Sequence, residues 1–210
     1  MLFDLDGTLI DSKLDIADAA NAARALFDLP PLPVNQVIPF IGHGLRHLIA
    51  GVLDSKSEAR IDEGLKAAFA HYDLHLGEKT TLYNGSRELF ETLRNKDIVC
   101  GVVSNKPHPL TLRTLHLLGI DGFFKAAFGD RPGVRRKPEP DAIFEALKQM
   151  EVTAADSVYV GDSAVDVECA HNAGMPSVIV THGFGDKDEL QKAGPDLVVG
   201  SLLELARLIP

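Results

Sequence analysis

Four stretches of the chain carry apolar residues without polar alternation, and each is bounded by polar ones. Ile98, Val99, Cys100, Gly101, Val102 and Val103 run up to Ser104 and Asn105. Ser157, Val158, Tyr159 and Val160 run up to Gly161 and Asp162, and residues 177–180 and 196–199 are similar. Apolar runs of this length suit strands covered on both faces, and the amphipathic stretches between them suit crossover helices. From about Gly85 onward the pattern therefore predicts a parallel α/β sheet, with Met1, Leu2 and Phe3 as one more strand. Ligands of such sheets bind beyond the carboxyl ends of the strands. Three of these runs, counting the first, end directly in polar residues capable of chemistry.

Residues 12–81 follow a different period. Ser12 with Asp15 three residues on resembles a capping box, followed by Leu14 and an Ala-rich stretch to Leu29. Pro30, Pro31 and Pro33 break that helix. Ile61, Leu65, Ala68, Phe69, Tyr72 and Leu76 fall on one helical face, with Ser55 and Glu58 as a second box before them. The expected organisation is an α/β core of residues 1–11 and 82–210, with residues 12–81 as a helical cap inserted after the first strand. A cap leaving the active end of a strand is placed to act as a lid. Only three residues precede Asp4, a short strand for the centre of a sheet. Either the strand continues past Asp4 or upstream residues are missing from the sequence.

Charge and composition narrow the function classes. A net charge of −9 over 210 residues argues against binding nucleic acid or an anionic membrane through bulk electrostatics. An anionic substrate would then need a metal ion or a few placed cations. Cys100 and Cys169 lie far apart and lack metal-ligand spacing, so each reads as a buried thiol in a reduced setting. No apolar run reaches membrane-spanning length and no signal peptide is evident, which points to the cytoplasm.

The chemistry lies in four short runs. Asp4 and Asp6, two apart, would share a face of an extended strand before Gly7 and Thr8 turn the chain away. Two carboxylates so close repel unless a cation or proton intervenes, and a hard divalent ion meets that need. Asp-Gly is also a common turn dipeptide, so this run alone is equally a surface loop. Ser104 and Asn105 offer a hydroxyl, an amide and backbone N–H groups to phosphate oxygens, or an ordinary helix cap. In the basic run Arg135, Arg136 and Lys137, the prolines at 138 and 140 fix Lys137 most firmly, and its ammonium could stabilise a transferring phosphoryl group. Arg135 and Arg136 read as solvated. Asp162 stands at a strand end where it could join Asp4 on a metal. Asp166, one helical turn on, could orient Asp162 or Lys137, or merely cap a helix.

Taken in order, Asp4-x-Asp6-Gly7-Thr8, Ser104-Asn105, Lys137-Pro138 and Gly161-Asp162-x-x-x-Asp166 resemble the four signatures of the haloacid dehalogenase-like phosphohydrolases. The likeness spans essentially the whole chain. Leu82-Tyr83-Asn84-Gly85, the Pro107 and Pro140 runs, Ala173-Gly174-Met175-Pro176-Ser177 and Ile41-Gly42-His43-Gly44-Leu45-Arg46 are similar to the phosphoglycolate phosphatase branch. Relatives more often carry proline where Asn84 stands. The resemblance implies a Rossmann-like parallel sheet core and a Mg²⁺-dependent phosphatase for a small phosphorylated metabolite, with 2-phosphoglycolate the best candidate. It implies that Asp4 forms an aspartyl-phosphate and that Asp6 acts as general acid and base. It also implies that Ser104, Asn105 and Lys137 hold phosphate oxygens. Mg²⁺ would sit on the Asp4 side chain, the Asp6 carbonyl and the Asp162 side chain, with Asp166 behind them. A pyrophosphatase or nucleotidase of the same group, a β-phosphoglucomutase-like mutase and a non-catalytic phosphate-binding protein are the alternatives. Monomer and homodimer both remain open.

In the cap, Gly42, His43, Gly44 and Arg46, with His47, could present cations to a substrate carboxylate. An ordinary loop at a helix start would look the same. His71 and His75 have a spacing that can bind zinc, but lack a third ligand nearby and read as solvated.

Overall fold

A computed structural model describes residues 1–209. Its centre is a six-stranded, all-parallel sheet in the order β5-β4-β1-β6-β7-β8. The strands are β1 (Leu2–Phe3), β4 (Gly101–Pro107), β5 (Ala126–Asp130), β6 (Tyr159–Gly161), β7 (Ser177–Val180) and β8 (Leu197–Val199). Successive residues point to opposite faces of a strand, and the core divides accordingly. Phe3, Val102 and Val160 join one apolar cluster with Phe90 and Leu202. Leu2, Val103 and Tyr159 join another with Ile143 and Met150. Burial on both faces explains the lack of polar alternation in β1, β4, β6 and β7, whereas in the edge strand β8 Leu197 and Val198 are exposed despite their apolar run.

The short β1 is paired on both sides, Leu2 and Phe3 opposite Gly101 and Val102 of β4 and opposite Tyr159 and Val160 of β6. Asp4 N–H adds one bond, to Val160 O at 2.8 Å. The sequence pattern ends the second run at Val103, whereas β4 extends through Ser104, Asn105 and Lys106 to Pro107. Val103 pairs with Phe128, the register then slips, and Pro107 pairs with Asp130. An irregularity of this kind bends a strand and re-aims its side chains. The edge strand β5, Ala-Ala-Phe-Gly-Asp, carries too little apolar signal to stand out in the sequence.

The cap leaves and rejoins the core through a two-stranded antiparallel ribbon, β2 (Ile10–Asp11) against β3 (Thr81–Leu82). Between them lie α1 (Lys13–Ala25), α2 (Val34–Val37), α3 (Leu45–Val52) and α4 (Glu58–Leu74). These helices share their own apolar cluster, including Ala19, Ala23, Ile49, Val52, Ile61, Ala68 and Tyr72. On α4, Phe69 departs from the expected face and is exposed.

Neither anticipated capping box forms. Ser12 flanks α1, yet its hydroxyl donates to Asp6 at 2.6 Å. Asp15 instead accepts bonds from Lys79 N–H at 3.0 Å and Thr80 Oγ1 at 2.5 Å. Ser55 Oγ accepts from Ser57 N–H ahead of α4. Both residues of the first pair serve longer-range contacts, which sequence spacing does not encode. Helix α1 stops at Ala25, short of the prolines.

The remaining helices cover the sheet: α5 (Ser86–Asn95), α6 (His108–Leu117), α7 (Asp141–Met150), α8 (Ala164–Asn172), α9 (Lys187–Ala193) and α10 (Leu202–Leu208). No described helix is long and apolar enough to cross a membrane.

Candidate active site

The carboxyl ends of β1, β4 and β6 meet beneath the cap, and each delivers polar side chains there. Asp4 follows β1 directly and is buried. Beyond it the chain leaves the sheet, so Asp4 and Asp6 are presented by a loop and do not share a strand face. Leu5 O accepts bonds from the N–H groups of Leu9 and Ile10, and Gly7 N–H donates to Ile10 O at 2.9 Å. Gly7 holds a φ of +92°, and a Cβ there would run into the Asp162 carboxylate. Both constraints require glycine.

On the far side of Asp4 lies Lys137. Its ammonium is 2.7 Å from Asp4 Oδ1 and 2.7 Å from Asp166 Oδ1, and it donates to Tyr159 OH at 3.1 Å. Tyr159 OH in turn donates to Val103 O at 2.6 Å. The Asn105 side chain fixes the Lys137 backbone from both directions. Lys137 N–H donates to Asn105 Oδ1 at 2.9 Å, and Asn105 Nδ2 donates to Lys137 O at 3.0 Å. The same Nδ2 reaches Gly42 O of the cap at 2.9 Å.

Asp162, at the end of β6, is equally buried. It accepts from Thr8 Oγ1 at 2.9 Å and from Phe184 N–H at 2.7 Å. Asp166 Oδ2 accepts from Asp162 N–H, Ser163 N–H and Ser163 Oγ at 2.7–3.1 Å. Asp166 therefore both caps α8 and orients Lys137. The two roles weighed for it in the sequence are filled together.

The charges are unbalanced. Carboxylate oxygens of Asp4, Asp162 and Asp166 lie within 4.8 Å of one another, the one such group among the described residues. The buried ammonium facing them is Lys137. Burial works to lower its pKa, but Asp166 and Asp4 outweigh burial and raise it well above the usual lysine value. Burial pushes the Asp4 carboxyl up to about 6; Lys137 opposes this, while Asp166 and Asp6 add to it. Burial, followed by Asp166 and Asp4, drives Asp162 well above the usual carboxylate range. Buried oxygen ligands with surplus negative charge are the donor set a hard divalent cation takes. The residues fit Mg²⁺.

Ser104 and Asn105, both buried, line a cleft together with Asp4, Asp6, Lys106, Pro107 and cap residues that include Gly42 and Gly44. His43 and Arg46 are not brought there. They line a separate surface depression near Arg135 and Arg136. The Arg46 guanidinium pairs with Glu58 at 2.7 Å and also with Asp62, both on α4. Arg136 donates to His43 O at 3.3 Å, and Arg135 is exposed and paired with Asp141. The rings of His71 and His75 lie 4.5 Å apart, and His75 contacts Glu78.

Two residues absent from the sequence-based set belong to the cleft. Lys106 Nζ is 3.1 Å from Asp6 Oδ1, bonds Tyr72 OH, and sits 4.2 Å from the centre of the Tyr72 ring. Lys106 follows directly on Ser104-Asn105, so its position was visible. Tyr72 reads as one more apolar residue on the inner face of α4, and nothing in its spacing marks the hydroxyl.

The profile of the haloacid dehalogenase-like hydrolases matches residues 1–180. A plasmid-borne phosphoglycolate phosphatase of Cupriavidus necator is 34% identical over 212 residues, covering 100% of this chain and 92% of that protein. A phosphoglycolate phosphatase of Chromobacterium violaceum is 32% identical, covering 99% and 94%. Among solved structures, one described as a predicted phosphoglycolate phosphatase from Haemophilus somnus superposes with a TM-score of 0.92 at 26% identity, covering 100% of this chain and 96% of that one.

Proposed function

The chain belongs to the haloacid dehalogenase-like hydrolases, and from that premise we propose that it is a phosphatase cleaving a small phosphate monoester, 2-phosphoglycolate first among candidates, with Asp4 as nucleophile. The observation that carries this reading is the buried meeting of Asp4, Lys137 and Asp166 beside Asp162, next to a cleft lined by Asp4, Asp6 and Ser104. The names of the full-length relatives support the choice of substrate.

In the proposed reaction an Asp4 carboxylate oxygen attacks phosphorus in line. The new P–O bond forms as the bond to the ester oxygen breaks, leaving an aspartyl-phosphate. Asp6, two residues on in the same loop and also lining the cleft, gives its proton to the departing oxygen, so glycolate leaves with a neutral hydroxyl. Asp6 then takes a proton from the water that attacks the same phosphorus, returning Asp4 and inorganic phosphate. Ser104, the Asn105 backbone and the Lys137 ammonium hold the non-bridging oxygens. Asp166 keeps Lys137 in place, and Asn105 keeps its backbone there. The Asp4 and Asp162 side chains and the Asp6 carbonyl would hold Mg²⁺, which supplies positive charge against the phosphate oxygens when bound. The apolar cap residues over the cleft exclude water, and Gly42 and Gly44, with φ of +101° and +88°, turn the cap loop there.

A panel of phosphoglycolate, pyrophosphate, a nucleoside monophosphate and a hexose phosphate, assayed with Mg²⁺ and again with EDTA, tests the reading. Phosphoglycolate should turn over fastest, and EDTA should remove the activity. Full turnover in EDTA would rule out the metal, and faster release from pyrophosphate or the nucleotide would rule out the substrate.

A further inference from the structure

Lys106 is buried, yet it faces the cleft. The rest of the lining holds two carboxylates, Asp4 and Asp6, the uncharged polar Ser104 and Asn105, and apolar cap residues such as Phe40 and Leu48. Lys106 is the one cation among the residues that line it. An ammonium carries three donors. Asp6 and Tyr72 OH account for two of them among the described residues. Arg46, the cap cation that sequence pointed to, is turned outward onto Glu58 and Asp62.

Resting on the phosphatase reading above, we infer that Lys106, steadied by Tyr72, binds the carboxylate of the substrate and so restricts the enzyme to short phosphorylated acids. Ser104 and Lys106 are two apart on β4 and, across its irregular stretch, both line the cleft. Two residues of strand span about 6–7 Å. A phosphate held at Ser104 therefore places a carboxylate at Lys106 only if a short spacer joins them. A sugar phosphate would put a hydroxyl against this ammonium and lose the charge pairing. It would also press its ring against Phe40 and Leu48. The Tyr72 hydroxyl and ring hold the ammonium from the cap side, so cap and core both contribute to the contact.

The test compares phosphoglycolate with 2-hydroxyethyl phosphate, an ester of the same length without the carboxylate. In the wild type kcat/KM should favour phosphoglycolate, and Lys106→Gln should lower that preference about 10- to 100-fold, mainly through KM for the acid. Absolute rates on both esters are free to fall, because Asp6 also loses a partner; the ratio is the readout. Tyr72→Phe, which keeps the apolar packing of α4, should lower the ratio in the same direction by a smaller factor. An unchanged ratio in both variants overturns the inference while leaving the phosphatase reading intact. Equal wild-type rates on the two esters overturn it as well. A wild type inactive on every ester overturns the phosphatase reading, and this inference with it.

Discussion

Asp4 is held in a position that costs stability. Its carboxyl is pushed up to about 6 from 3.8, burial being the first cause. The metal-free folded protein thus binds this proton more tightly than the unfolded chain does. The stability contributed by Asp4 is complete below about 3.8 and is lost as pH rises through about 6. Asp4→Asn should accordingly abolish turnover while raising the melting temperature at pH 8 in EDTA. The expected rise is at least the ~2–4 °C that 1 kcal/mol moves a chain of this size. The gap should narrow as the pH is lowered below 6. Melting curves at pH 5 and pH 8 check the sign, and a variant less stable at pH 8 would contradict it. Asp4 and Asp162 were legible in sequence because each follows directly on a strand, and Lys137 because the prolines at 138 and 140 fix its turn. Tyr72 was not, since its hydroxyl acquires a role only when α4 is laid against β4.

Among the elements, the β1–β2 turn and the end of β4 carry the site. In the turn, Gly7 combines a φ of +92° with contact against the Asp162 carboxylate. Gly7→Ala should cost about 1–3 kcal/mol from the backbone alone and should also weaken Mg²⁺ binding. Urea melts and a metal titration measure the two effects. Beneath β4, Tyr159 OH bridges Lys137 and Val103 O within the apolar core. Tyr159→Phe removes the hydrogen bond to that carbonyl and should destabilise the fold by about 1–3 kcal/mol. A loss of activity without a loss of stability would give Tyr159 a different role. The strand pattern found β4 but began it at Ile98 and ended it at Val103, whereas the strand runs from Gly101 to Pro107. Ser, Asn and Lys look like a loop, and only pairing with β5 on either side of the slip keeps them in the strand.

At the scale of the whole molecule, cap and core are joined where the chemistry occurs. Asn105 bonds Gly42 O and Lys106 bonds Tyr72, while Arg136 bonds His43 O at a separate surface depression. Arg46 is spent inside the cap, on exposed pairs that are each worth about 0–1 kcal/mol. Arg46→Ala should therefore change stability by no more than about 1 kcal/mol, and KM for phosphoglycolate and for p-nitrophenyl phosphate should move together. A selective rise for phosphoglycolate would return Arg46 to substrate recognition. The sequence alone determined the parallel sheet, the helical cap after its first strand and the family. Strand burial and strand-end chemistry are local patterns, and they survive in one dimension. Tertiary structure decided which cation faces the cleft. The sequence pointed to Arg46 and passed over Lys106, because which of the two faces the cleft depends on the carboxylates that the folded chain brings near each.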